Sequence, residues 1–133
     1  MSFLNATVTD VKSSDTLHIV EFSHNENLLS MMSLDLNEMI QKGTKVKLLI
    51  KPMHIALGKS VMGMLSYSNQ LKSTITSIET GELLSSINLK LGKTTLESVI
   101  TKKSAQSMNL QVGDDIMAFI KASDLSIYEI LDD

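Results

Sequence analysis

The pattern Ala6-Thr7-Val8-Thr9-Asp10-Val11 recurs later in the chain as Ser73-Thr74-Ile75-Thr76-Ser77-Ile78, with apolar and β-branched residues at matching places. Two further segments repeat in the same order, and each places a strand-like run beside a turn. They are Gly43-Thr44-Lys45-Val46 with Gly113-Asp114-Asp115-Ile116, and Ile50-Lys51-Pro52-Met53-His54-Ile55 with Ile120-Lys121-Ala122-Ser123-Asp124-Leu125. Three matches in order indicate an internal duplication within the 133 residues.

Each half contains five short runs rich in Val, Ile, Leu and Thr, bounded by polar or glycine-containing turns, as is typical of strands. The predicted strands are 4–11, 17–22, 28–32, 45–50 and 54–57, and then 71–78, 83–89, 95–101, 116–120 and 125–130.

A short helix is predicted before the fourth strand of each half. Ser33 suits the N-cap of a helix over 34–42, with Gly43 beyond its end, and the second helix is predicted over 104–110. The sequence therefore predicts an all-β protein of two tandem OB-like five-stranded Greek-key barrels, each with a short helix. The first module is predicted at 1–62 and the second at 63–133.

Composition excludes several classes of function. The formal net charge is −3 and there are only five Phe and Tyr residues, which disfavours a basic, aromatic-lined groove for nucleic acid. Cysteine is absent, so disulfides, thiolate metal sites and cysteine nucleophiles are excluded. No apolar run reaches the length of a membrane span, and the start does not resemble a signal peptide. We expect a cytoplasmic protein without membrane contact.

Catalysis and binding of a bare metal cation are not expected. The three histidines, His18, His24 and His54, are scattered over the first half without a cluster of carboxylates. No Ser/His/Asp pattern, phosphate-binding loop or dinucleotide fingerprint is present. The nine methionines alternate with Leu and Ile as core residues do. The sequence therefore predicts a protein that is not an enzyme.

Hydrogen-bond donors cluster at three places in the second half: Ser66-Tyr67-Ser68-Asn69-Gln70-Leu71, Thr101-Lys102-Lys103-Ser104 and Lys121-Ala122-Ser123. A tetrahedral oxyanion needs several N–H and O–H donors with a modest positive charge nearby. By residue type alone, serines and threonines that cap turns and lysines that are solvated are the commoner interpretation.

Three stretches resemble the TOBE or Mop molybdate-binding module. The run from Ser66 to Ile75 resembles the family's Ser-Ala-Arg-Asn-Gln-Leu-x-Gly-x-Val, and Ile100-Thr101-Lys102-Lys103-Ser104 resembles its Ile-Thr-x-x-Ser. The run from Val112 to Ser123 resembles Val-Gly-Asp-x-Val-x-Ala-x-Ile-Lys-Ala-Ser. The first half resembles a more divergent copy, so the chain is similar to tandem, di-Mop molybdate-storage proteins.

The resemblance implies that molybdate or tungstate is bound as ligand, for storage, homeostasis or sensing. It also implies a homo-oligomer, a trimer by analogy, with anion sites at subunit interfaces. The oxyanion-binding residues that it implies are Ser66, Ser68, Asn69, Thr101, Ser104, Lys121, Ala122 and Ser123, with Lys51 as the first-half counterpart of Lys121.

The chain departs from the family pattern at two of these places. Ser68 stands where the motif has arginine, which removes a charge and a bidentate fork. Pro52 stands in the first half where Ala122 stands in the second, and it has no backbone N–H. Two alternatives therefore stay open: an assembly or sensor module of a regulator with decayed anion sites, and an OB-type binder of single-stranded nucleic acid.

Overall fold

The computed structural model describes residues 1–131. The predicted all-β tandem fold is confirmed: ten strands form two five-stranded sheets in which every pairing is antiparallel. The strands are β1 Ser2–Ser14, β2 Leu17–His24, β3 Asn27–Ser33, β4 Lys45–Ile50, β5 Ala56–Gly58, β6 Asn69–Thr80, β7 Leu84–Leu91, β8 Thr94–Thr101, β9 Asp115–Ile120 and β10 Ser126–Ile130. One α-helix, α1 (Lys102–Ser107), and two 3₁₀ helices, Pro52–His54 and Ala122–Asp124, complete the elements.

The two halves exchange their fifth strands. The first sheet has the order β10-β4-β1-β2-β3, and the second has the order β5-β9-β6-β7-β8. Each half therefore supplies four strands to one sheet and a short edge strand to the other. The predicted division between residues 62 and 63 separates the sequence repeats, whereas both sheets draw strands from either side of it. Residues 132–133 of the predicted second module lie outside the described residues.

The duplication extends to backbone detail. In the first sheet Ser2 faces Ile50, and in the second Asn69 faces Ile120, so Ser2 and Asn69 occupy equivalent positions. The first strand of each half has a register shift at the same place, between Val8 and Asp10 and between Ile75 and Ser77. Such a bulge bends the strand and increases its twist, which helps a sheet to curl around a core.

The core is one continuous cluster fed by both halves. Alternate residues of β1 and β6 point inward, so that Leu4 and Leu71 are each 1 % exposed. Phe22 of β2 is fully buried in the same cluster. Burying a side chain of this size contributes roughly 1.5–3 kcal/mol, and neither half alone keeps all of these contacts.

Two equivalent hydrogen bonds connect the halves. The side-chain oxygen of Asn69 accepts from the Ser30 backbone N–H at 2.7 Å, and the hydroxyl of Ser2 accepts from the Glu97 N–H at 2.9 Å. In each case a side chain at the start of one half's first strand contacts the third strand of the other half. The exchange of strands and these bonds make the halves a single structural unit.

The helix predicted over 34–42 was wrong: residues 34–44 contain turns and bends and no helix. Ser33 bonds locally instead, since its hydroxyl accepts from the Asp35 N–H at 3.2 Å and donates to the Asp35 carbonyl at 2.7 Å. The Asn37 side-chain oxygen likewise accepts from the Met39 N–H at 2.8 Å. Side chains that bond the nearby backbone in this way compete with the helix.

The helix of the second half forms, but it begins at Lys102 rather than Ser104. Thr101 is its N-cap, because its side-chain oxygen accepts from the Ser104 N–H at 3.1 Å. Ser104 is therefore inside the first turn.

Candidate oxyanion site

The first group of predicted site residues lies where β6 begins and β9 ends. Asn69 pairs with Ile120, so Ser68 and Lys121 directly flank the paired ends of neighbouring strands. Ser66, Ser68 and Lys121 are all exposed. In the described part of the chain, the Lys121 ammonium has no ion-pair or hydrogen-bond partner. The fold thus brings the Ser68 hydroxyl and an unpaired positive charge to one end of the second sheet, with Ser66 two residues before Ser68 along the chain.

The second 3₁₀ helix follows directly from Lys121. Its start is fixed by the Asp124 N–H, which donates to the Lys121 carbonyl at 2.9 Å. Ala122 is half-buried and Ser123 is exposed within this helix. Because Ala122 is not a proline, this turn keeps a backbone N–H that its first-half equivalent lacks.

Thr101 and Ser104 form a second group at the end of β8. The Thr101 hydroxyl donates to the Ser104 oxygen at 2.9 Å while accepting from the Ser104 N–H. The backbone N–H expected as a donor is therefore used within the cap. The Ser104 hydroxyl proton remains available, and the chain of bonds behind it polarises it toward a ligand. Lys102 and Lys103 add positive charge beside this hydroxyl.

Asn69 is placed differently from the other predicted residues. It is fully buried, and its amide nitrogen donates to the Ser30 carbonyl at 3.0 Å and to the Ile120 carbonyl at 3.1 Å. Its oxygen accepts from the Ser30 N–H, so both amide protons and the oxygen have protein partners. Asn69 supports the strand ends beneath the first group and offers no further donor.

Lys51 occupies in the first half the place of Lys121 in the second. It is exposed and ends the segment before the first 3₁₀ helix, which starts with Pro52. Across residues 1–131, no hydrogen bond or ion pair joins the Ser66–Ser68–Lys121 group to Thr101 or Ser104. Lys121 does share a depression with Ile100, the residue before Thr101, so the two donor groups are neighbours that no hydrogen bond joins.

Sequence reasoning missed the residues around Lys121. Lys121 lines a depression of about 290 Å³ together with Tyr67, His54 and Asp124. His54 and Asp124 occupy equivalent positions of the two copies, and their side chains approach to 3.9 Å between Nδ1 and Oδ1. The repeat alignment pairs these two positions, but only the exchange of strands brings the two 3₁₀ helices together.

A carboxylate with a lowered pKa stabilises the turn before β9. The Gln111 backbone N–H donates to Asp114 at 2.9 Å and the Lys59 ammonium lies 3.1 Å from it; these bonds hold its pKa below the ordinary value of 3.8. Lys59 also donates to the carbonyls of Met108 and Asn109, at 3.3 and 2.9 Å, just after α1. This lysine fixes the segment between β5 and β6 against the helix end.

Comparisons with known proteins agree with this architecture. Residues 65–127 match the TOBE domain family. The structure is similar to that of the cytoplasmic molybdate-binding protein ModG, crystallised with molybdate bound. The TM-score is 0.89 and the identity 25 %, over 94 % of this chain and 93 % of that one. A molybdate binding protein from Sporomusa ovata matches at 27 % identity over 50 % of this chain and 100 % of its own, with a TM-score of 0.49. A comparison with curated proteins finds no match.

Residues 65–127 match the TOBE domain, and the fold of nearly the whole chain is similar to that of ModG, in agreement with the predicted resemblance to the TOBE/Mop family. The matched range contains all the predicted site residues of the second half. Between residues 1 and 131, no helix has the length and apolar character to cross a membrane, and no three His, Cys, Asp or Glu side chains could together hold a metal ion.

Proposed function

We propose that this protein binds molybdate reversibly, through hydrogen bonds and lysine charge and without chemical change to the anion. The observation that supports the proposal is that Ser68 and Lys121 flank the paired ends of β6 and β9, with an exposed hydroxyl and an unpaired ammonium. The likeness to a molybdate-binding protein over nearly the whole chain supports the same ligand. Tungstate has the same tetrahedral shape and charge, so these donors serve it equally.

In this proposal each donor group contacts the anion from one side, and a second copy of the chain supplies the hydrogen-bond donors on the other side. The Thr101–Ser104 group of one protomer then faces the Ser66–Ser68–Lys121 group of the next. Such a head-to-tail contact closes into a ring, and we propose a homotrimer. Ligand binding and assembly then stabilise each other by mass action.

The biological role that we propose is storage or homeostasis of molybdate in the cytoplasm, the compartment in which ModG is described. A sensing role uses the same equilibrium. In either case the released anion is identical to the bound one, so no residue needs to act as acid, base or nucleophile.

The experiment is isothermal titration calorimetry of the purified protein with molybdate and tungstate, with sulfate and phosphate as controls. Saturable binding of the two heavier oxyanions is expected, and Lys121→Ala weakens it by roughly tenfold to a hundredfold because a charged donor is lost. Lys51→Ala is the matched control and changes the affinity less than twofold.

Absence of binding by any oxyanion, together with an unchanged melting temperature, would contradict the proposal and favour an assembly module. Equal losses of molybdate affinity in Lys51→Ala and Lys121→Ala would contradict the assignment of the site to the second half.

A further inference from the structure

A cavity of about 540 Å³ opens on the outer face of the second sheet. Its floor is formed by β6 and β9, and one wall is formed by residues 60–65 of the strap, the segment 59–68 that joins β5 to β6. Met117 and the buried Phe119 line the floor, and the strap adds the exposed side chains of Val61 and Leu65. This volume is typical of small-molecule sites, which span about 300–1,000 Å³.

A glycine of β5 borders the cavity, and β10, the exchanged strand of the first sheet, has a tyrosine at the equivalent place. Gly58 and Tyr128 are the third residues of the exchanged strands β5 and β10. The Tyr128 ring packs against Phe3 at 5.0 Å between centroids and covers the corresponding face of the first sheet. At Gly58 even a Cβ atom would lie 2.6 Å from Cε2 of Phe119 and closer still to Val61. Glycine thus lets the strap cross close to Phe119.

The polar side of the cavity carries a net positive charge. Lys72 and Lys90 line it, and neither ammonium has a hydrogen-bond or ion-pair partner among residues 1–131. Thr74 faces Lys90 across the β6–β7 pair, and its hydroxyl donates to Asp115 at 3.1 Å. The two lysines and Asp115 together leave one net positive charge, which a ligand with one anionic group balances.

We propose that this cavity binds a small organic monoanion with a flat apolar body, of the class of aromatic carboxylates. The carboxylate lies between Lys72 and Lys90, whose ammonium groups act as point charges. The ring packs between the strap side chains Val61 and Leu65 and the Met117 thioether, which favours sulfur–aromatic contacts. An inorganic oxyanion makes no use of this apolar surface, so the cavity suits a different ligand from the oxyanion site.

The cavity is separate from the proposed molybdate site. It is lined by none of the predicted oxyanion residues, and Lys121 borders another depression. The inference therefore does not depend on the proposed function.

The test is calorimetric titration of the full chain with 1-naphthoate. Its neutral analogue 1-naphthalenemethanol supplies the ring without the charge, and acetate supplies the charge without the ring. Saturable binding of naphthoate is expected, with each analogue weaker by about tenfold or more. Lys72→Ala/Lys90→Ala weakens naphthoate binding by about tenfold. The control Lys42→Ala/Lys93→Ala makes the same change in net charge at exposed positions outside the cavity and leaves the affinity unchanged.

Melting temperatures within a degree or so of the parent protein's establish that both double variants are folded. No saturable binding of naphthoate at millimolar concentration would overturn the inference. So would equal losses in the two double variants, or naphthalenemethanol that binds as tightly as naphthoate. Molybdate titrated into Lys72→Ala/Lys90→Ala reports on the oxyanion site alone, so failure of one proposal is distinguishable from failure of the other.

Discussion

The two halves share most of their backbone and differ at the positions that we propose bind an anion. Both have the bulge in their first strand, and both have a glycine before the fourth strand, Gly43 with φ +96° and Gly113 with φ +95°. Each glycine N–H donates at 2.8 Å to the bulged first strand, to the Val8 carbonyl in one half and to the Ile75 carbonyl in the other. The positive φ favours glycine in both copies, and the fold therefore keeps it.

The predicted oxyanion-binding positions, by contrast, carry different residues in the two halves. Register places Met1 in the first half where Ser68 stands in the second, and Leu34 where Thr101 stands. Asp35 takes the place of Lys102, which replaces a positive charge by a negative one. Inward-facing residues and special turns are thus the same in both halves because the fold needs them, whereas the residues at the strand ends differ.

The largest effect on stability is expected at Asn69 and Ser2, the equivalent side chains that link the halves. Asn69 makes three hydrogen bonds and Ser2 makes one to the other strands. Asn69→Ala leaves three buried backbone groups without partners and lowers the free energy of unfolding by about 3 kcal/mol or more. Ser2→Ala, at the equivalent position, removes one hydrogen bond and costs about 1 kcal/mol. Urea denaturation of both variants measures the difference. Equal losses would contradict the view that Asn69 is primarily a structural residue.

An intermediate effect, on molybdate affinity, is expected at the Ser104 hydroxyl of the second donor group. Ser104→Ala removes the one free proton of the Thr101–Ser104 pair and weakens molybdate binding by about tenfold. Asn37→Ala, at the equivalent position of the first half, leaves the affinity unchanged. Calorimetric titration with molybdate measures the affinity of both variants. A comparable loss of affinity in Asn37→Ala would show that the first half also binds the anion.

The smallest effect concerns pH dependence. In the second half the Gln111 N–H donates to the Asp114 carboxylate at 2.9 Å, and in the first half the Gln41 N–H donates to the Thr44 hydroxyl at 3.1 Å. Because the folded pKa of Asp114 is lowered, its contribution is complete above about pH 3.8 and is lost as the pH falls through the lowered value.

Asp114→Thr is therefore expected to flatten the fall in melting temperature between pH 5 and pH 2.5, whereas Thr44→Ser leaves its slope unchanged. Thermal melts across this range measure it. An unaltered slope in Asp114→Thr would show that the carboxylate does not contribute.

Most of the fold follows from local patterns, and the exceptions have physical causes. Alternation predicts the strands because one face is buried, and β4 was predicted to the residue at 45–50. The helix over 34–42 failed because Ser33 and Asn37 bond to their own neighbourhood. The partner sheet of β5 and β10 is decided by tertiary contacts that no local pattern records.

The candidate site was predicted unevenly. The motif predicts Ser68 and Lys121 as site residues, and the fold places them side by side at strand ends. The motif does not predict that the Asn69 amide hydrogen-bonds to the protein backbone, since its partner Ser30 belongs to the other half. The cavity beneath the strap was not predicted either, because its lining comes from several strands and the strap, which no local pattern brings together.

The exchange of fifth strands has a consequence for folding kinetics. The first sheet lacks its edge strand until Ser126–Ile130 is synthesised, almost at the end of the chain. Its closure is a contact between residues far apart in sequence, which slows folding relative to a self-contained barrel. The early half cannot complete a stable domain on the ribosome, and the whole chain is expected to unfold in a single cooperative transition.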